Sequence, residues 1–149
     1  MAVSSICTRR VITVDIGIDI VAAAAVMRES KIGYLIVTDK KHHGRGPAGV
    51  ITDRDIAIKV TALDIDPNSF TVGDVMTRDP LTAADYDSIS DTLRRMRSLG
   101  VRRVPVVGDN GQITGVLSID DVVDHLATQL TDLAGSARSE PQAKHRSTA

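Results

Sequence analysis

The chain has 149 residues, with 18 Lys and Arg against 19 Asp and Glu, 2% aromatic residues and one cysteine. This length fits one compact domain, and the balanced charge with so few aromatic rings argues against a nucleic-acid-binding surface. The single cysteine excludes an intrachain disulfide framework, and no apolar run is long enough for a membrane span or a signal peptide, so we expect a cytoplasmic protein.

The first half of the chain predicts the element order β-α-β-β-α. The signals lie at residues 11–14, 20–27, 35–37, 49–51 and 56–60. The first helix has apolar residues at the spacing of one helical face, and Asp19 stands where its N-cap belongs. A Gly-containing turn separates the second and third strands.

The second half repeats these signals in the same order, which indicates an internal duplication. A shift of 69 residues places residues 6–37 on residues 75–106, and Ser88 then falls on Asp19. From Gly49 onward the shift is 66 residues, so that Gly49 aligns with Gly115. A unit of about 65 residues is marginal alone, so we expect the two copies to share a core.

The repeat gives the expected domain boundaries. We place the first copy at residues 3–71 and the second at residues 72–133. Residues 134–149 are polar with little to bury, and we expect them to form a flexible tail outside the fold.

One motif occurs in both copies: glycine, two apolar residues, a hydroxyl residue and, three positions later, an aspartate. It gives Thr52 with Asp55 and Ser118 with Asp121, each at the start of a predicted helix. A carboxylate can accept hydrogen bonds from both ribose hydroxyls, and free amides at a helix start favour phosphate. The alternative is a capping box that only stabilises the helix, and the spacing alone favours that reading.

These features together resemble the cystathionine-β-synthase (CBS) domain family. The resemblance rests on the duplicated β-α-β-β-α order, on Arg-Arg-Val-Pro-Val-Val at 102–107 and on the motif at 49–56, and it covers residues 3–133. It implies an α/β (α+β) fold in which tandem CBS repeats pack sheet to sheet with pseudo-twofold symmetry, as a stand-alone Bateman module. It also implies clefts for AMP, ADP, ATP or S-adenosylmethionine as regulatory ligands, no required cofactor, and a homodimer formed through helices.

The ligand-binding residues that we expect combine the two motifs with residues carried over from the resemblance. They are Thr52, Arg54, Asp55, Ser118, Asp121, Arg102, Arg103, Ile12, Thr13, Leu81, Thr82 and Tyr34. The arginine pair aligns with Gly33 and Tyr34, so we expect unequal clefts, with phosphate near the arginines. The alternatives are solvated arginines at a strand start and a half-buried strand tyrosine that does not stack on a base.

The predicted function is a non-catalytic regulatory module that signals to an unknown effector protein or through its oligomeric state. No Ser-His or Cys-His set is repeated and no metal-ligand spacing occurs, so we expect no catalytic residue and no metal site. The alternative is a dimerisation or scaffold protein whose clefts have lost their ligand.

Overall fold

The computed structural model describes residues 1–42 and 44–144, which form two similar halves. The first half contains β1 (Thr13–Asp15), α1 (Ile20–Ser30), β2 (Tyr34–Thr38), β3 (Gly49–Thr52) and α2 (Asp53–Ile56), which continues as a π-helical turn at Ala57–Thr61. The second contains α3 (Val72–Val75), β4 (Thr77–Arg78), β5 (Ala83–Ala84), α4 (Ile89–Leu99), β6 (Arg103–Val107), β7 (Ile113–Ser118) and α5 (Ile119–Lys144). The expected β-α-β-β-α order is confirmed in both halves.

The first helix of each half begins and ends in an equivalent way. The Asp19 carboxylate accepts a hydrogen bond from the Ala22 amide at 2.7 Å, and the Ser88 hydroxyl caps α4 in the same position. Both expected N-caps are therefore confirmed. At the other end, Lys31 and Gly100 adopt left-handed backbone conformations, with φ of 54° and 66°.

Each half exchanges a segment with the other. The first sheet has the order β1-β2-β3-β4, and β4 enters it from beyond the first half by pairing Thr77 with Val50. The second sheet has the order β5-β6-β7, and the N-terminal segment reaches it through a bridge from Thr8 to Val116. The segment that precedes each half thus completes the sheet of the other, which ties the two copies into one fold.

The core has two outer clusters and one central cluster. The outer clusters lie between each sheet and its helices, and the central cluster joins Tyr34, Ile36 and Val116 across the sheets. Strand β2 is buried on both faces, because side chains alternate along a strand and each face is covered. The sheets therefore pack against one another, and the expected mixed α and β class is confirmed.

The glycine that opens each repeated motif leaves room for the segment exchanged from the other half. A Cβ atom on Gly115 would lie 2.7 Å from the Thr8 carbonyl oxygen, and one on Gly49 would lie 2.7 Å from that of Thr77. Both distances are shorter than real Cβ contacts, so the exchanged segments can approach only where a side chain is absent.

Helix α5 extends further than the sequence indicated. It runs for 26 residues to Lys144, through much of the segment 134–149 that we expected to be a flexible tail. That expectation was wrong up to residue 144: a helix that has already started lengthens without a new nucleation cost, and most residues after Gly135 are compatible with a helix. Residues 145–149 lie outside the described residues. No helix described is long and apolar enough to cross a membrane.

Candidate functional site

The repeated motif of the second half forms a corner where β7 meets α5. The Ser118 hydroxyl accepts a hydrogen bond from the Asp121 amide at 3.1 Å and donates to Asp121 Oδ2 at 2.7 Å. The Ser118 amide donates to the same oxygen at 3.1 Å. The capping reading of this motif is therefore realised, with Asp in place of the more usual Glu. Asp121 Oδ1 makes no hydrogen bond or ion pair within the described residues.

The first half repeats the corner with one added contact. The Thr52 hydroxyl accepts from the Asp55 amide at 3.1 Å, and Asp55 Oδ2 accepts from the Thr52 amide at 3.0 Å. The Lys59 ammonium lies 3.2 Å from Asp55 Oδ1 and also donates to the Val75 carbonyl at 3.2 Å. Both carboxylate oxygens of Asp55 are thus engaged by its own half.

A cleft of about 290 Å³ opens beside the second corner, between the two halves. Its lining residues are Thr8, Arg10, Ile12, Lys31, Ile32, Gly33, Tyr34, Ile36, Arg103, Val116, Ser118 and Asp121. Five of the residues expected from the sequence come together here, namely Ile12, Tyr34, Arg103, Ser118 and Asp121. Because both halves supply side chains, a molecule in this cleft would contact both copies at once.

The other expected site residues lie outside this cleft. Thr52 and Asp55 form the corner of the first half, and Arg54 is exposed beside them on α2. The Arg102 guanidinium is largely exposed and lies 3.6 Å from Asp120, an arrangement that matches the solvated alternative.

Three further expected residues also lie away from the cleft. Thr13 is exposed on β1, and Leu81 packs against the outer core of the second half. The Thr82 carbonyl accepts a hydrogen bond from Arg95 at 3.3 Å.

The cleft is electropositive. Arg10, Lys31 and Arg103 line it, whereas Asp121 is the one carboxylate among the lining residues. Guanidinium and ammonium groups bind phosphate oxygens, and a carboxylate with an open oxygen can accept from ribose hydroxyls. The arrangement therefore suits a ligand that carries both a sugar and an anionic group.

Tyr34 lines this cleft, and its hydroxyl is buried. The side chain is 7% exposed, and within the described residues its buried hydroxyl has no hydrogen-bond partner. The Arg103 guanidinium carbon lies 5.9 Å from the ring centroid, within the range of a cation–π contact. Burial raises the pKa of Tyr34 well above its ordinary value, an effect that the nearby Arg103 charge partly opposes. The tyrosine therefore stays neutral.

The sequence reasoning missed three polar residues of the cleft: Thr8, Arg10 and Lys31. They belong to the first half or its leading segment and lie outside the repeated motifs on which the expected site was based. A signal was present for Lys31, because it aligns with Gly100 at a helix end where glycine is preferred. A lysine held at positive φ is a strained residue, and such residues cluster at functional sites.

A second, wider depression of about 540 Å³ lies where the hairpin loops of the two halves meet. Its lining residues are Thr38, Lys40, Gly44, Arg45, Gln112 and Ile113. None of these six carries a carboxylate, so this depression offers no equivalent of the Asp121 corner.

The sequence profile of the CBS domain family matches residues 3–61 and 72–128. The chain belongs to the CBS domain family. Among curated CBS relatives, Hypoxic response protein 1 of Mycobacterium tuberculosis is 39% identical over 108 residues, which are 70% of this chain and 71% of that protein. The uncharacterized protein MK0525 of Methanopyrus kandleri is 30% identical over 123 residues, 83% of this chain. This chain spans 61% of the length of MK0525.

Solved structures of CBS proteins share the fold described above. A crystal structure of Hypoxic Response Protein I with two coordinated zinc ions has a TM-score of 0.73 and 31% identity, covering 84% of this chain and 98% of that chain. The CBS domain pair of protein MJ0100, in complex with 5-methylthioadenosine and S-adenosyl-L-methionine, has a TM-score of 0.73 and 26% identity, covering 85% and 99%. In the present chain, the part that the structure describes holds no cluster of three or more His, Cys, Asp or Glu arranged for a metal ion.

Proposed function

We propose that this CBS domain pair is a non-catalytic regulatory module that binds adenosine-containing ligands in the cleft at Asp121. The observation that carries the proposal is the open Asp121 Oδ1 atom beside a cleft with three cationic side chains. The carboxylate would accept hydrogen bonds from the ribose, each worth about 1.5–3 kcal/mol, and the cations would hold phosphate. The MJ0100 complex supports the ligand class, since that CBS pair binds two adenosine compounds.

Signalling would follow from the position of the cleft between the halves. Lys31 and Tyr34 belong to the first half, and Arg103 and Asp121 belong to the second. A ligand that contacts all four favours one relative arrangement of the halves over others, and it can act only through such a difference in affinity. An unknown effector protein, or a second copy of the chain, would respond to that arrangement.

A homodimer formed through helices is also part of the proposal. Helix α5 exposes Val123, Leu126, Leu130 and Leu133, which follow each other at alternating spacings of three and four residues. This spacing is that of a coiled-coil seam. The flanking positions at Ala127, Gln129 and Ala134 are uncharged, so two copies of the seam would meet without like-charge repulsion.

We also propose a ligand role and a cellular location for the protein. Adenine nucleotides or S-adenosylmethionine would act as regulatory ligands and not as required cofactors. A cytoplasmic location agrees with the free thiol of Cys7, which is partly buried and whose pKa burial raises. The alternative function is a scaffold protein whose clefts bind no ligand.

A thermal-shift screen tests the proposed function. The protein is heated with millimolar AMP, ADP, ATP, NAD or S-adenosylmethionine. A ligand that binds only the folded state raises the melting temperature by mass action. We expect at least one adenosine ligand to raise it, and a flat screen would support the scaffold.

A further inference from the structure

We propose that one adenosine nucleotide binds per chain, at Asp121, and that Lys59 closes the equivalent corner at Asp55 to ribose. This inference rests on the proposed function, and it states which of the two equivalent corners can bind a ribose. Duplication would otherwise predict two equivalent sites. The difference between the corners is visible in the partners of their two carboxylates.

The Asp55 carboxylate is fully occupied by its own half. One oxygen accepts a hydrogen bond from the Thr52 amide at 3.0 Å, and the other lies 3.2 Å from the Lys59 ammonium. Lys59 also donates to the Val75 carbonyl at 3.2 Å, so its ammonium has two partners while its side chain is 47% exposed. A ribose hydroxyl that approached Asp55 Oδ1 would compete with this lysine, whose ammonium has two partners at this corner.

The Asp121 carboxylate keeps one oxygen open. Ser118 binds Oδ2 with both its amide and its hydroxyl, at 3.1 and 2.7 Å, and no described residue engages Oδ1. The residue equivalent to Lys59 under the 66-residue shift is His125. Its Nε2 atom is buried, and within the described residues it has no hydrogen-bond partner, so it does not close the corner. A ribose therefore breaks no ion pair at the Asp121 carboxylate, whereas the Arg103 guanidinium of the same cleft lies 4.0 Å from Asp120.

The cations of the cleft are unequally distributed as well. Under the 69-residue shift, Arg10 aligns with Asp79 and Lys31 aligns with Gly100. The first corner thus has an acid and a glycine where the second has two cations. The first corner keeps Arg54 and Lys59 at positions where the second has Asp120 and His125, and Arg102 lies 3.6 Å from the Asp120 carboxylate. Arg10 and Lys31 line the cleft at Asp121, so this cleft has two phosphate-binding cations whose counterparts at the first corner are an acid and a glycine.

Calorimetric titration of the full chain with AMP and with ATP tests this inference. We expect a stoichiometry of one nucleotide per chain. Asp121→Ala should weaken binding by roughly 10- to 100-fold, because charged hydrogen bonds to ribose are lost. Asp55→Ala is the matched control: it removes an equivalent helix cap but should leave the dissociation constant within about two-fold. Asp121→Asn, which keeps the shape of the side chain, separates loss of charge from loss of folding.

The Lys59→Met variant tests the blocking role directly. Titrated with adenosine, which carries no phosphate, it should gain a second site that Asp55→Ala then removes. Two sites in the unaltered protein, equal losses from both alanine variants, or no second site in Lys59→Met would overturn the inference while the proposed function stands. If neither AMP nor ATP binds the unaltered protein, the proposed function fails and this inference fails with it.

Discussion

Tyr34 and Arg103 occupy equivalent positions of the two halves, and their contact places them near the pseudo-twofold axis. The alignment of the repeats was readable from the sequence, and so were the motif residues of both corners. The sequence did not reveal that equivalent residues from different halves would touch. It also could not show that Asp121 keeps an oxygen open, because that depends on Lys59 and His125 and on how far each side chain reaches.

Tyr34→Phe should stabilise the ligand-free protein and weaken ligand binding. The variant removes a buried hydroxyl that has no partner among the described residues, whose desolvation costs about 1–3 kcal/mol. We expect the free energy of unfolding, measured with urea, to rise by roughly 1 kcal/mol. If the hydroxyl donates to the ligand, the dissociation constant should rise up to about ten-fold. Lower stability of the variant would show that the hydroxyl is satisfied.

Tyr34→Phe should also change how the free energy of unfolding falls at alkaline pH. The pKa of Tyr34 is raised in the folded state, so above pH 10.0 the unfolded chain loses the phenol proton more readily than the folded one. The free energy of unfolding that the neutral phenol contributes is therefore fully present below pH 10.0 and is lost as pH rises toward the folded-state pKa. Urea denaturation between pH 9 and about pH 11 should therefore show a steeper loss for the unaltered protein than for Tyr34→Phe. Parallel curves would contradict the buried, neutral phenol.

Lys31→Gly should raise the free energy of unfolding and weaken the binding of phosphate-bearing ligands. Lys31 has a φ of 54° at the position where the other half has Gly100. Left-handed backbone costs a non-glycine residue about 1–2 kcal/mol, so we expect a gain of roughly 1 kcal/mol in the free energy of unfolding. Removal of a cation from the cleft should weaken ATP binding more than adenosine binding. Equal affinities for ATP before and after the change would place the phosphate elsewhere.

At the scale of elements, the order β-α-β-β-α and both N-caps could be predicted, because helical and strand periodicities are local properties of the sequence. The exchange of leading segments could not, since a strand such as Thr77–Arg78 is too short to leave a pattern. The extent of α5 also escaped prediction: polar composition argued for a tail, whereas an established helix extends through such residues.

Gly115→Ala should destabilise the exchanged segment. The added methyl group would lie 2.7 Å from the Thr8 carbonyl oxygen, which is backbone and cannot turn aside. We expect a loss of about 1–3 kcal/mol in the free energy of unfolding, typical of overpacking. Gly135→Ala is the control, because a Cβ there meets no neighbour in the described structure. Faster hydrogen exchange at the Thr8 and Val116 amides, which pair across the exchange, should accompany the loss; unchanged exchange and stability would argue against it.

At the scale of the molecule, the duplicated fold leaves apolar helix faces that a second copy would cover. Leu130→Glu places a charge in the seam of α5, where Leu130 is 67% exposed. Sedimentation velocity should show a dimer for the unaltered protein and a shift toward monomer for Leu130→Glu. Thr128→Glu, on the same helix but outside the seam, should remain dimeric. A monomer at all concentrations, or equal effects of both variants, would contradict this interface.

We expect a nucleotide to bind between the two halves with its ribose on Asp121. The most direct measurement is a crystal structure with the adenosine ligand that gives the largest thermal shift. We expect one ligand per chain, ribose hydroxyls within hydrogen-bond distance of Asp121 Oδ1, and phosphate oxygens beside Arg10, Lys31 or Arg103. A ligand seated at Asp55, with Lys59 displaced, or bound outside the cleft would contradict it.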